Sequence, residues 1–244
     1  LEFRRVLFRS KGQQTTLDLT KRIIGLGHQA VPHFSARLTK DEQAVNDLAA
    51  FCRDNGITEV FLVAGDAPEP VGKYDGVVAF LRDFLGADHG LKKIGVTAYP
   101  DGHALIPKEV VHEALHAKQA LLAEAKMPAF ASTQMHFDTK QWIQWLRDER
   151  AAGFQLPVHI GAPGVIDRMK LISLSTKLDI GSSVRFLKKN TGAIARLFRP
   201  GGYNPVKFLS PLAKVADELN IEGIHMFTFN NIDATAEWQR RQLS

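Results

Sequence analysis

Apolar and polar positions alternate between two periods along most of the chain. Residues 14–26 carry helical spacing and stop at Gly25 or Gly27. Residues 30–38 read as a strand. Thr39 opens a helix, with Glu42 completing a capping box and Gly56 closing the element. TEVFLVA at 58–64 is a near-continuous apolar run, as a strand buried on both faces should be. Residues 76–85 are helical, and KIGVTA at 93–98 is a strand. A long helix spans 107–125, with Pro107 in its first turn. A strand follows at 129–135, and Asp138 or Thr139 then caps a helix that stops near Gly153. Residues 156–160 form a strand, and Pro163-Gly164 precedes another helix. A short strand at 178–181, a helix at 210–220 and a last strand at 223–229, GIHMFTF, complete the series.

Seven strands separated mostly by single helices imply a parallel sheet. The first recognisable element is a helix, so one strand is expected upstream, and seven plus one is the number that closes a barrel. The expected fold class is therefore α/β, a (β/α)8 TIM barrel lacking its first strand. A doubly wound open sheet shares the pattern, but no strand here runs into a G-x-G-x-x-G turn. A G-x-x-x-x-G-K-[ST] phosphate loop is absent too. The opening LEFRRVLFRS has no initial Met, no apolar core and no cleavage site. Residues 1–11 thus read as a foreign or disordered arm, leaving 12–244 as an incomplete TIM-barrel domain.

Composition narrows the class without naming a reaction. Apolar residues make up 45% and charged residues 23% of 244, ordinary for a soluble globular chain. The single cysteine, Cys52, excludes an internal disulfide framework and a cysteine-rich zinc site. No metal site is expected, and a reducing, cytoplasmic compartment is. The net charge of +5 draws on Arg4, Arg5, Arg9 and Lys11 in the opening arm. Further on there is no basic run interleaved with aromatics, so no nucleic-acid partner is expected. No apolar run reaches the ~20 residues of a membrane helix.

In a barrel, chemistry sits at the carboxyl ends of the strands. The residues there are Gly65 and Asp66, then Tyr99 to His103, then Gln134, His136 and Asp138, then Asn230 and Asn231, with His33 inside an earlier strand. Each also has a plain structural role open to it. Asp66 before Pro68 suits a turn, Asp138 a helix cap, His103 a surface loop, and Gln134 an internal hydrogen bond.

The order of these groups resembles the successive strand-end motifs of methylenetetrahydrofolate reductases. The segments are VPHFSARL at 31–38, LVAGDAP at 62–68, GVTAYPDGH at 95–103, STQMHFD at 132–138, APGV at 162–165 and GIHMFTFN at 223–230. The resemblance implies a (β/α)8 barrel that reduces 5,10-methylenetetrahydrofolate to 5-methyltetrahydrofolate. NADH or NADPH supplies the hydride, most members relay it through FAD, and the family is often homo-oligomeric. By that resemblance Asp66 is the catalytic carboxylate beside flavin and pterin, and Gln134 hydrogen-bonds the folate. His33, Gly65, Tyr99 and His103 are implied flavin contacts, and Lys118 a partner of the FAD phosphates. The pattern departs from the family at Ala64, at Ala67 and at His112 and His116. These departures keep two alternatives open: flavin-independent hydride transfer, and a non-redox folate-binding barrel. The family's general acid, a Glu ending the first strand, has no counterpart here. Losing such an acid typically costs about 10²–10⁴-fold in rate, so these 244 residues are expected to be inactive or unstable alone.

Overall fold

The structure, a computed structural model, describes residues 12–65, 67–103, 106–135, 138–165, 205–228 and 232–243. The described residues form a parallel six-stranded sheet, its strands in chain order, with helices alternating between them. This is the α/β class that the periodicity predicts. The expected strand at 178–181 and the helix after Pro163-Gly164 lie outside the described residues.

The chain divides into two compact units. The first comprises the residues up to Thr97 together with Glu113–Ala131. It holds helix α1 (Gln13–Gly25), strand β1 (His33–Ser35), helix α2 (Glu42–Asp54), strand β2 (Glu59–Val63), helix α3 (Val77–Leu85) and most of strand β3 (Lys93–Ala98). Strand β1 pairs with β2 and β2 with β3, both in parallel. Every residue of β2 is buried, which accounts for its unbroken apolar run. Val31, Phe61, Val63 and Phe130 form one core cluster. Phe34 from β1 meets Phe84 from α3, which in turn packs on Phe80.

The second unit comprises Ala98–His112 and the residues from Ser132 onward. It contains helix α5 (Thr139–Ala151), strand β5 (Val158–Pro163), helix α6 (Pro205–Ala213), strand β6 (Ile221–Phe227) and helix α7 (Ile232–Leu243). Strands β5 and β6 are parallel, with a register shift at Val158/His159 that takes up Glu222 as an extra residue. His159 Nε2 lies 3.0 Å from Glu222 Oε2. Trp142, Leu146, Phe154, Val158 and Leu212 are fully or nearly fully buried. Helix α4 (Lys108–Glu124) and strand β4 (Ala129–Thr133) run through the boundary between the units.

Several boundaries differ from the periodicity by a few residues, as at Val158–Pro163 and Ile221–Phe227, and three of the differences have a visible local cause. The strand expected over 30–38 is only His33–Ser35, because the chain turns into a 3-10 helix at Ala36–Leu38. There the Arg37 N–H donates to Ala64 O and the Thr39 N–H to Ala36 O, at 2.9 Å each. The N-cap of α2 is Asp41, which accepts from the Ala44 N–H, and not Thr39, whose hydroxyl donates to Ser35 O. The helix expected at 210–220 runs instead from Pro205 to Ala213. A proline fits a first turn, where its missing N–H leaves no bond unmade, while Pro211 inside the element removes one.

Candidate functional site

In the first unit the carboxyl end of β2 is locked to the turn after β1. Ser35 Oγ and the Arg37 N–H both donate to Ala64 O, at 3.1 and 2.9 Å. The Arg37 guanidinium forks onto Ala67 O at 2.7 Å and Pro68 O at 2.6 Å, reaches Asp75 O at 3.0 Å and pairs with the Asp75 carboxylate. Arg37 therefore holds the chain on both sides of position 66. Sequence reasoning missed it, although a basic residue just after a strand end, facing a Gly-Asp turn, was the available signal. Asp66 itself lies outside the described residues.

Gly65 has φ +96°, a region that side chains rarely adopt, and a methyl group there would overlap Ser35 Oγ. Its glycine is thus required by backbone and packing together. Gly65 and His33 line one small hollow with Gln13, Thr16, Ser35 and Val63. The hollow measures about 20 Å³, room for roughly one water. The His33 ring packs against Phe61, with centroids 4.6 Å apart.

Lys118 also belongs to this unit. It is 3% exposed, and its ammonium donates to Thr97 O at 2.6 Å, near the carboxyl end of β3. Burial pushes its pKa down to about 7. The resemblance implies a phosphate partner here, and the contact its ammonium makes in the structure is with a backbone carbonyl.

In the second unit the end of β4 is a hub. The Gln134 N–H donates to Ala98 O at 2.8 Å, so Gln134 and Tyr99 leave neighbouring strand ends. Gln134 Oε1 accepts from the Met135 N–H at 3.0 Å, which fixes the amide and turns its NH2 the other way. Thr133 Oγ1 accepts from the Gly161 N–H at 2.8 Å and from Trp142 Nε1 at 3.3 Å. Ser132 Oγ lies 3.0 Å from His225 Nδ1 of β6. Gly161 lets β5 approach, since a methyl group there would overlap Thr133 O. Tyr99 and His103 are half-buried and meet edge to face, with centroids 5.5 Å apart. Structure thus brings Tyr99, His103 and Gln134 together in one unit, and His33 with Gly65 in the other. Asp138 accepts from the Lys140 and Gln141 N–H groups as the cap of α5. His136, Asn230 and Asn231 lie outside the described residues.

The expectation of no metal site overlooks a local signal. Residues 112–116 spell H-E-A-L-H, the H-E-x-x-H spacing that sets two imidazoles one helical turn apart.

Comparison with known proteins agrees with the family resemblance. In Saccharomyces cerevisiae, "Methylenetetrahydrofolate reductase 2" is 26% identical over 132 residues, 50% of this chain and 21% of that protein. The aligned part thus spans about a fifth of the length of that curated relative. Among solved structures, an uncharacterized protein from Clostridium thermocellum that binds two copies of 5-methyl-5,6,7,8-tetrahydrofolic acid superposes with a TM-score of 0.51. It is 9% identical, with 96% of this chain and 91% of that one covered, a likeness of fold. The family model described as Methylenetetrahydrofolate reductase matches residues 3–178, most of the length, and the chain belongs to that family.

Proposed function

We propose that this chain carries the folate-reducing chemistry of its family, the NAD(P)H-dependent reduction of 5,10-methylenetetrahydrofolate to 5-methyltetrahydrofolate. The observation that carries the reading is the meeting of Gln134 with the Ala98–Tyr99 strand end, inside a chain whose family match runs over residues 3–178. The binding of 5-methyltetrahydrofolate by the Clostridium thermocellum protein supports a folate ligand.

In this reading the oriented NH2 of Gln134 hydrogen-bonds the pterin, and the half-buried Tyr99 and His103 rings cover a flat ring system. Asp66 supplies the carboxylate beside the reacting carbons, in a loop whose flanks Arg37 anchors. FAD, when bound, supplies a two-electron hydride carrier. Tyr99 and His103 fit its ring, while the phosphate end must find a partner other than Lys118 as placed. That placement, with Ala64 and Ala67, favours the second reading, direct hydride transfer from the nicotinamide without flavin.

Calorimetry with 5-methyltetrahydrofolate and stopped-flow mixing with NADH and the methylene substrate test the proposal. Folate binding is expected, with loss of NADH absorbance about 10²–10⁴-fold slower than with a general acid in place. Absence of folate binding by the folded chain overturns it, as does binding with no NADH oxidation above the uncatalysed rate, which leaves a non-redox folate-binding barrel. Visible flavin absorption in the purified protein decides between the two reductase readings. Asp66→Asn is expected to lower turnover by about 10²–10³-fold, the range for removing one electrostatic contact to the reacting atoms.

A further inference from the structure

We infer that Thr133 is a positioning residue for folate recognition, its buried hydroxyl fixing the strand end from which Gln134 presents its amide. The inference rests on the proposed folate contact of Gln134 and goes beyond it by naming what holds that amide in place. Thr133 ends β4 and is 2% exposed. Its Oγ1 accepts from the Gly161 N–H of β5 at 2.8 Å and from Trp142 Nε1 of α5 at 3.3 Å. A hydroxyl oxygen has two lone pairs, and these two donors fill both. One side chain thus ties the end of β4 to the next strand and to the helix that follows, and both partners are buried. All of these residues belong to the second unit.

The hydroxyl reaches Gln134 through the backbone. The Thr133 carbonyl and the Gln134 N–H belong to one planar peptide unit. That N–H donates to Ala98 O at 2.8 Å. On the other side, the Thr133 and Gln134 carbonyls lie so close to Gly161 that a methyl group there would stand 2.2 and 2.8 Å from their oxygens. Gly161 is both the donor to Thr133 Oγ1 and the surface against which the two carbonyls rest, and the hydroxyl keeps it there. The Met135 N–H then aims the amide by holding Gln134 Oε1 at 3.0 Å. An amide set in direction before the ligand arrives recognises it better, since every side chain ordered on binding costs affinity. Packing alone would be served equally by valine, which has the shape of threonine. Valine has no acceptor, however, and would leave the Gly161 and Trp142 donors unpaired in the interior.

Calorimetry with 5-methyltetrahydrofolate on the whole chain and its variants tests the inference, with circular dichroism and melting curves to show that each is folded. Gln134→Ala is expected to weaken binding about 3–10-fold, the loss of a neutral hydrogen bond. Thr133→Val should weaken it by a similar factor and no more than Gln134→Ala does. Thr133→Ser, which keeps the hydroxyl, should stay within about twofold of wild type. The double variant should bind like Gln134→Ala alone, because both changes remove the same contact. A hydroxyl that only stabilised the fold would lower the melting temperature without this non-additivity. Wild-type affinity in folded Thr133→Val, or losses that add in the double variant, overturns the inference and leaves the folate reading standing. If Thr133→Val does not fold, Trp142→Phe, which removes one of the two donors, takes its place in the same cycle under the same criteria. No binding by the folded wild-type chain, or undiminished binding by Gln134→Ala, overturns the proposed folate contact itself and the inference with it.

Discussion

At the residue scale, single side chains here answer to packing more than to type. Gly65 combines a positive φ with the space taken by Ser35. Gly65→Ala is expected to cost about 1–3 kcal/mol in urea unfolding, the range for a residue held in a disfavoured backbone region. Adding Ser35→Ala should recover only the part due to overlap. Lys118 offers a test with a sign. Its folded pKa of about 7 lies below the ordinary 10.5, so between those values the unfolded chain binds more protons than the folded one. Its contribution to stability therefore rises with pH through that window, and the full cost of burying the ammonium is present below it. Lys118→Met should gain most over wild type at about pH 7 and below, and the gain should shrink towards about pH 10. Melting curves across that range check it, and a gain independent of pH would sink it. The sequence shows Lys118 on a helix after a strand, but its burial depends on which way α4 faces β3, and residue type alone cannot say this.

At the element scale, local chemistry was legible wherever it was not contested. The strand at 93–98 and the start of the α5 helix at Asp138 agree with their expected places, because periodicity and an acidic cap act within a few residues. The start of α2 was contested. Thr39 and Asp41 both precede the helix, and the Ser35 carbonyl takes the Thr39 hydroxyl. Asp41→Ala should therefore destabilise the fold by about 1 kcal/mol as a lost N-cap. Asp138→Ala should cost a similar amount, since its side chain serves the Lys140 and Gln141 N–H groups. Thermal or urea denaturation measures both, and an unchanged midpoint for Asp41→Ala would return the cap to Thr39. The short β1 has the same kind of origin. An extended pattern of apolar residues continues past Ser35, but the Arg37 N–H finds Ala64 O on the next strand end and the chain curls.

At the scale of the whole molecule, the first unit holds His33 with Gly65, and the second holds Gln134 with Tyr99 and His103. Among the described residues, no helix is long and apolar enough to cross a membrane. A ligand that binds the folded chain and not the unfolded one raises the melting temperature. With 5-methyltetrahydrofolate at 100 times its Kd, the gain should be about 2.7 kcal/mol. A melting temperature unmoved at saturating folate would count against the folate site. The sequence by itself determined the alternation of strand and helix, the buried character of β2 and the order of strand-end motifs that carries the family, since periodicity and motif spacing are written in neighbouring residues. Only the tertiary structure decided that Arg37 anchors the flanks of position 66, that Lys118 turns to a carbonyl, and that Glu149 comes up against His112. Each of these joins positions about 20 to 40 residues apart. Such contacts exist only after the chain has folded back on itself, and no local pattern encodes them.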